Sequence, residues 1–163
     1  MTTTAATNKA RHYVLAVMVM AYTVNFIDRQ ILSILLESIK LDLGVSDQML
    51  GLLAGFAFAL FYVVMGIPIA VWADRGNRRN LIALALALWS DMTALCGMAQ
   101  NFWQLAAARV GVGIGEAGCT PPAFSLLSDH YAPGERATAF AIYSLGIPLG
   151  LMFGLFVGGS INE

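Results

Sequence analysis

Charge is what this sequence has least of. Asp, Glu, Lys and Arg make up 12% of its 163 residues, about half of the roughly 25% usual for a soluble domain. Nine Lys/Arg and ten Asp/Glu cannot clothe the surface of a soluble fold of this size, and a soluble class is excluded. Cysteine and histidine are almost as scarce. Cys96 and Cys119 both lie in apolar stretches and read as small hydrophobic residues. With no CxxC and only His12 and His130, there is no disulfide framework, no metal site and no sign of a cofactor. A net charge of −1 without a basic block argues against a nucleic-acid partner. An intramembrane enzyme would need a nucleophile with its base, or metal ligands, at one depth. Both histidines fall near the edges of apolar runs, so an enzyme is not expected.

What is abundant is apolar sequence: 58% of residues are hydrophobic and mean hydropathy is +0.72. A helix crossing about 30 Å of hydrocarbon needs about 20 mostly apolar residues. Residues 49–72 meet this with no charge at all, and 81–100 with only Asp91 inside. Residues 102–127 carry Arg109 and Glu116, and 137–160 carry none. The first apolar run, from Tyr13, is short enough for a signal-peptide core, but no small-residue cleavage site follows. The pattern instead resumes after Asp28 and Arg29, so 13–36 reads as one span with a charged pair inside. The expectation is an all-α membrane protein of five spans, preceded by a disordered cytoplasmic segment over residues 1–12.

Lys9, Arg11, Arg75, Arg78, Arg79 and Arg136 fall on one side of such a topology, and only Lys40 marks the opposite connections. The positive-inside rule then places the N-terminus in the cytoplasm. The partners this implies are the lipid bilayer and neighbouring helices.

Two features inside the spans carry information about function. The last span has Gly146, Gly150, Gly154 and Gly158, a spacing that lines one side of a helix and admits another backbone closely. Such a face serves either static packing or helices that rock against each other. With five spans, the groove reads as one awaiting a sixth. Pro68 and Pro148 are expected to kink their helices.

The second feature is charge where charge is costly. Asp28, Arg29, Asp91, Arg109 and Glu116 sit within spans, at about 2.5–3.5 kcal/mol or more per charge. Arg109 and Glu116 are seven residues apart and share a helix face, separated by about 10 Å along the axis. Asp28 comes out at a depth between them. The expected cluster is Asp28 and Glu116 with Arg109 or Arg29 as counter-charge. It reads either as a static ion pair or as a proton-coupling site, since desolvation favours a protonated carboxyl and a nearby arginine an ionised one. Asp91 either lines the same cavity or hydrogen-bonds Thr93 or a neighbouring helix.

The connection Ala70-Val-Trp-Ala-Asp74-Arg75-Gly-Asn77-Arg78-Arg79 resembles the signature loop of the major facilitator superfamily, with Ala70 and Asn77 where that loop has glycine. Arg109-Val-Gly-Val-Gly113 looks like its Arg-x-x-x-Gly motif, and Gly146-Ile-Pro148-Leu-Gly150 partly resembles its Gly-Pro motif. Asn25-Phe-Ile-Asp28-Arg29, Gly115-Glu116-Ala117, Pro121-Pro122, Ser128-Asp129 and Arg136 resemble the spinster-like branch. The resemblance implies the first five helices of the N-terminal six-helix bundle of a twelve-helix fold. It implies solute transport by alternating access, with protons as coupling ion and a small organic or lipid-like substrate bound between this bundle and a missing C-terminal one. It also implies a cytoplasmic gate of Asp74, Arg75, Arg78, Arg79, Asp129 and Arg136. A bacterial inner membrane is the expected location. The competing expectation is a non-transporting membrane adaptor or receptor-like bundle, for which five helices suffice.

Overall fold

A computed structural model describes the backbone of residues 2–161, and their side chains except at residues 2–7, Asp74 and Ile161. The described chain is helical, without strands. In order it forms α1 (Thr2–Leu43), α2 (Asp47–Gly51), a π-helical segment (Leu52–Ala57), α3 (Phe58–Arg75), α4 (Arg78–Gly97), α5 (Phe102–Ala117), α6 (Thr120–His130), α7 (Pro133–Ser144) and α8 (Gly146–Ile161). Among the described residues, four helical stretches are long and apolar enough to cross a membrane: Asn8–Leu43, Asp47–Ala73, Arg78–Gly97 and Pro133–Ser160.

Two boundaries differ from expectation. Residues 2–12, expected to be disordered, are the first turns of α1. Extending a helix already nucleated by the apolar run costs little per residue, and Arg11 is held by Glu135 at 2.7 Å. The stretch 102–127 is not one helix but two, α5 and α6, separated at Gly118 and Cys119. Pro121 and Pro122 lack the N–H groups that would reach the Ala117 and Gly118 carbonyls, so the α-helical ladder cannot run through. The chain closes the gap with tighter bonds, from Gly118 N–H to Gly115 O (3.1 Å) and from Cys119 N–H to Glu116 O (3.0 Å).

Local signals fix the other ends. Asn77, which stands where the signature loop has glycine, caps α4 by accepting from the N–H groups of Arg79 and Asn80. Asn101 caps α5 by accepting from Gln104 N–H (3.0 Å), and Gln104 Oε1 accepts in return from Gln100 N–H (2.9 Å). This is close to a capping box. Pro68 lies inside an uninterrupted α3. Near Pro148 the helix does break, at Leu145, between α7 and α8.

The chain divides into two compact units, Met1–Ile31 with Phe124–Ile161, and Leu32–Ala123. In the first unit α8 lies against α1. A Cβ on Gly146 would meet Tyr22, one on Gly150 would come within 2.6 Å of the Thr23 carbonyl oxygen, and one on Gly154 would meet Gln30. These three glycines of the stripe are therefore covered by α1, which corrects the expectation of a groove awaiting a sixth span. Gly158, one turn further along α8 and the last of the four expected packing glycines, is buried like Gly154, whereas its neighbour Gly159 is exposed. The contact with α1 is thus established for Gly146, Gly150 and Gly154, and for Gly158 only its burial. Partners advance in the same direction as the glycines, so the two helices run parallel. Tyr22 and Tyr143 stack at 4.5 Å beside this contact.

In the second unit α5 packs on α4 and α3. Here Gly111, Gly115 and Gly118 meet Met92, Trp89 and Ala85, descending as the glycines ascend, so α4 and α5 are antiparallel. A Cβ on Gly115 would lie 2.8 Å from the backbone nitrogen of Trp89. Phe58, Trp89 and Val112 form an apolar cluster at this junction.

Candidate coupling site and gate

The most buried charges belong to α5. Glu116 is 1% exposed and Arg109 4%. Both are held on a helix whose close approach to α4 depends on the glycines between and beside them. The Arg109 guanidinium lies over the Phe58 ring, 5.2 Å from its centroid. That contact lets a cation tolerate apolar surroundings. Phe58 is the first residue of α3 after the π-helical segment, and π segments re-aim the residues that follow them. Glu116 is the last but one residue of α5, next to the break between α5 and α6. Cys119, three residues further on, directs Sγ to the Gly115 carbonyl at 3.6 Å.

Asp28 and Arg29 lie on α1 in the other unit and are half-buried. Arg29 sits over the Phe26 ring at 5.5 Å. Asn25, one turn earlier, is the third buried polar side chain, at 7% exposure. Two of the four expected coupling residues thus belong to each unit.

Asp91 is exposed on α4. It makes no hydrogen bond with Thr93, whose buried Oγ1 has no hydrogen-bond partner among the described residues. The expected local bond is not formed.

The expected gate residues are also divided. Arg75 and Arg79 are exposed and Arg78 is half-buried; the Asp74 side chain lies outside the described residues. In the other unit Asp129 is exposed, and Arg136 Nε donates to the Tyr131 carbonyl at 3.1 Å. Tyr131 is the centre of a cluster that the sequence reading missed. Its hydroxyl donates to the Arg11 carbonyl (3.2 Å), its ring lies under the Arg11 guanidinium at 5.3 Å, and Arg11 is in turn paired with Glu135. The signal was present in Tyr-Ala-Pro-Gly-Glu-Arg, a turn sequence carrying two groups, Tyr131 and Glu135, that hold Arg11 of α1. Among the described residues, no three or more His, Cys, Asp and Glu side chains gather as metal ligands would.

The family model of the Major Facilitator Superfamily matches residues 18–163. An MFS-type efflux pump of Mycolicibacterium smegmatis is 42% identical over 147 residues, which cover 90% of this chain and 34% of that protein. The sphingosine-1-phosphate transporter SPNS2 of Mus musculus is 29% identical, over 91% of this chain and 27% of its own length. Among solved structures, a bacterial homologue of the human lysosomal transporter spinster, inward-facing and occupied, superposes with a TM-score of 0.88 at 50% identity. The match covers 92% of this chain and 32% of that one. The chain spans between about a quarter and a third of the length of these relatives.

Proposed function

Because the chain belongs to the Major Facilitator Superfamily, in its spinster-like branch, we propose that its helices serve a secondary transporter that moves a small organic or amphiphilic solute by alternating access, driven by protons. The observation that carries this reading is the burial of Glu116 and Arg109 on one helix face, with Glu116 next to a helix break. Charges buried within a span are costly and mark ion or proton pathways more often than packing. A carboxyl group there takes up a proton when water leaves it and gives it back when an arginine approaches. A rocking motion that changes the distance between Glu116 and a cation couples solute movement to proton movement. Arg109 and Arg29 are the cations, and Asp28 is the second carboxylate.

The substrate class is supported by relatives described as an efflux pump and a sphingosine-1-phosphate transporter. In this reading a second bundle completes the substrate site. The N-terminus is cytoplasmic, in a bacterial inner membrane. Asp74, Arg75, Arg78 and Arg79 then form a cytoplasmic gate with Asp129 and Arg136, whose ion pairs bias an equilibrium between two states. Transport itself separates this reading from a passive adaptor.

The test is Glu116→Gln in the full-length protein in proteoliposomes. Uptake driven by a pH gradient is expected to vanish while solute exchange at equal pH persists. Undiminished gradient-driven uptake would remove Glu116 from the coupling role.

A further inference from the structure

Outside the proposed coupling site, the second unit carries two adjoining hollows that share Trp72, Leu81 and Leu84. The first, of about 270 Å³, lies between α3, α4 and α5, with Met65, Pro68, Leu88 and Ile114 among its apolar lining. The second, of about 230 Å³, lies toward the α3–α4 connection and ends on Asn77 and Asn80. Neither Arg109 nor Glu116 lines either one. From Met65 to Trp72 the apolar hollow follows α3 for about 10 Å.

Its size and chemistry select the occupant. One turn of a helix about 10 Å across fills more than about 400 Å³, so a helix could lie across this hollow but not enter it. A single acyl chain is thin enough. The polar end is flanked in the chain by exposed Arg75 and Arg79, and the connection as a whole holds three arginines against Asp74. Trp72 stands at the junction of the two hollows, 55% exposed. Its indole lies 3.5 Å from where a Cβ on Gly76 would be, so the glycine lets the ring fold back over the connection. Indole at the boundary between apolar and polar surroundings is the arrangement found at headgroup depth. Basic residues at that depth attract anionic lipids.

We propose that these hollows form one binding groove for an anionic phospholipid, its acyl chain between α3 and α4 beside Pro68 and its head group at Asn77, Asn80 and the flanking arginines. The groove is separate from the proposed coupling residues, so it stands whether or not Glu116 carries a proton; Arg75 and Arg79 also belong to the proposed gate, and lipid labelling reads their contact with the head group rather than gating.

The experiment uses the intact protein in phosphatidylcholine nanodiscs doped with a phosphatidylglycerol probe bearing a diazirine on its acyl chain. A phosphatidylcholine probe with the same chain is the control, and labelled residues are located by peptide mass spectrometry. Label from the phosphatidylglycerol probe is expected on the 65–72 and 81–88 segments, in excess over the control. Arg79→Gln is expected to reduce that label about fivefold, the effect of one cation near a lipid head group. Leu84→Trp, at a position already 56% exposed, is expected to fill the groove and abolish the label while sparing label on exposed Phe156 of α8. Equal labelling by both probes would reduce the groove to ordinary lipid contact. Absence of label from either probe would mean that another part of the protein covers it. Label unchanged in Leu84→Trp would also overturn the proposal.

Discussion

On α8 the glycines at 146, 150 and 154 meet Tyr22, Phe26 and Gln30 of α1, and no charged residue lies between these glycines on α8 itself. On α5 the glycines at 111, 115 and 118 meet Met92, Trp89 and Ala85 of α4, and Arg109 and Glu116 are interleaved with them. Both faces solve one problem, how two backbones approach without a hydrophobic drive between helices. Around Gly146 and Gly150 the α8 face does nothing else that is visible. On α5 the close approach also walls two charges away from lipid. Glycines and charges thus share one helix in the second unit, whereas in the first the charges, Asp28 and Arg29, are carried by the partner α1, past the residues that Gly146 and Gly150 touch and between Ile27 and Gln30, which Gly154 meets. A small residue on α5 is therefore expected to act on the proposed coupling through position, and Gly146 and Gly150 of α8 to act through stability alone.

The largest effect that tests this difference is a bulky residue at each contact. Gly115→Val would press on the Trp89 backbone and Gly150→Val on the Thr23 carbonyl, neither of which can swing aside. Each is expected to reach or exceed the upper end of the about 1–3 kcal/mol usual for overpacking, read as lost thermal stability in detergent. Only at Gly115 should the fraction that still folds have an altered pH dependence of uptake. Similar pH profiles for both variants would erase the distinction.

A smaller effect is expected from Phe58→Leu, which keeps an apolar side chain but removes the ring beneath Arg109. The loss of that contact is worth up to about 2 kcal/mol in a desolvated site. It should appear as a lowered melting temperature together with a shifted pH profile. A lowered melting temperature with an unmoved profile would make the ring packing only.

The smallest effect belongs to Gly159→Ala on α8, where an added Cβ meets nothing within 4 Å. Helix propensity alone predicts a gain of up to about 1 kcal/mol. A loss there would show that α8 has a further close neighbour in the intact protein.

Much of this architecture was legible from hydrophobic runs, because a chain without charge over residues 49–72 has few other places to be. The buried charges on α5 were legible too, since an Arg and a Glu seven residues apart must share a face. The partner of the α8 stripe was not. A glycine spacing specifies a smooth surface but not which helix lies on it. The break after Glu116 was marked by Pro121-Pro122, yet proline is equally at home in the first turn of a new helix and as a kink in an old one. Which of these holds depends on whether the preceding carbonyls find other donors. The helical state of residues 2–12 depended on contacts that Arg11 makes far away in sequence, with Tyr131 and Glu135.

The π segment at Leu52–Ala57 has a consequence for how this helix tolerates changes of length. In hydrogen-bonding terms it is an α-helix that has absorbed one additional residue. Deleting one residue there would restore the regular ladder on both sides and leave the membrane stretch intact. Asp47–Gly51 would keep nearly its present rotation relative to Phe58–Arg75, and buried Leu50 its neighbours, whereas the same deletion inside the regular α3 would turn the residues on either side by about 100° relative to each other. A one-residue gap at this place removes the bulge, whereas a gap elsewhere in the helix acts as a rotation.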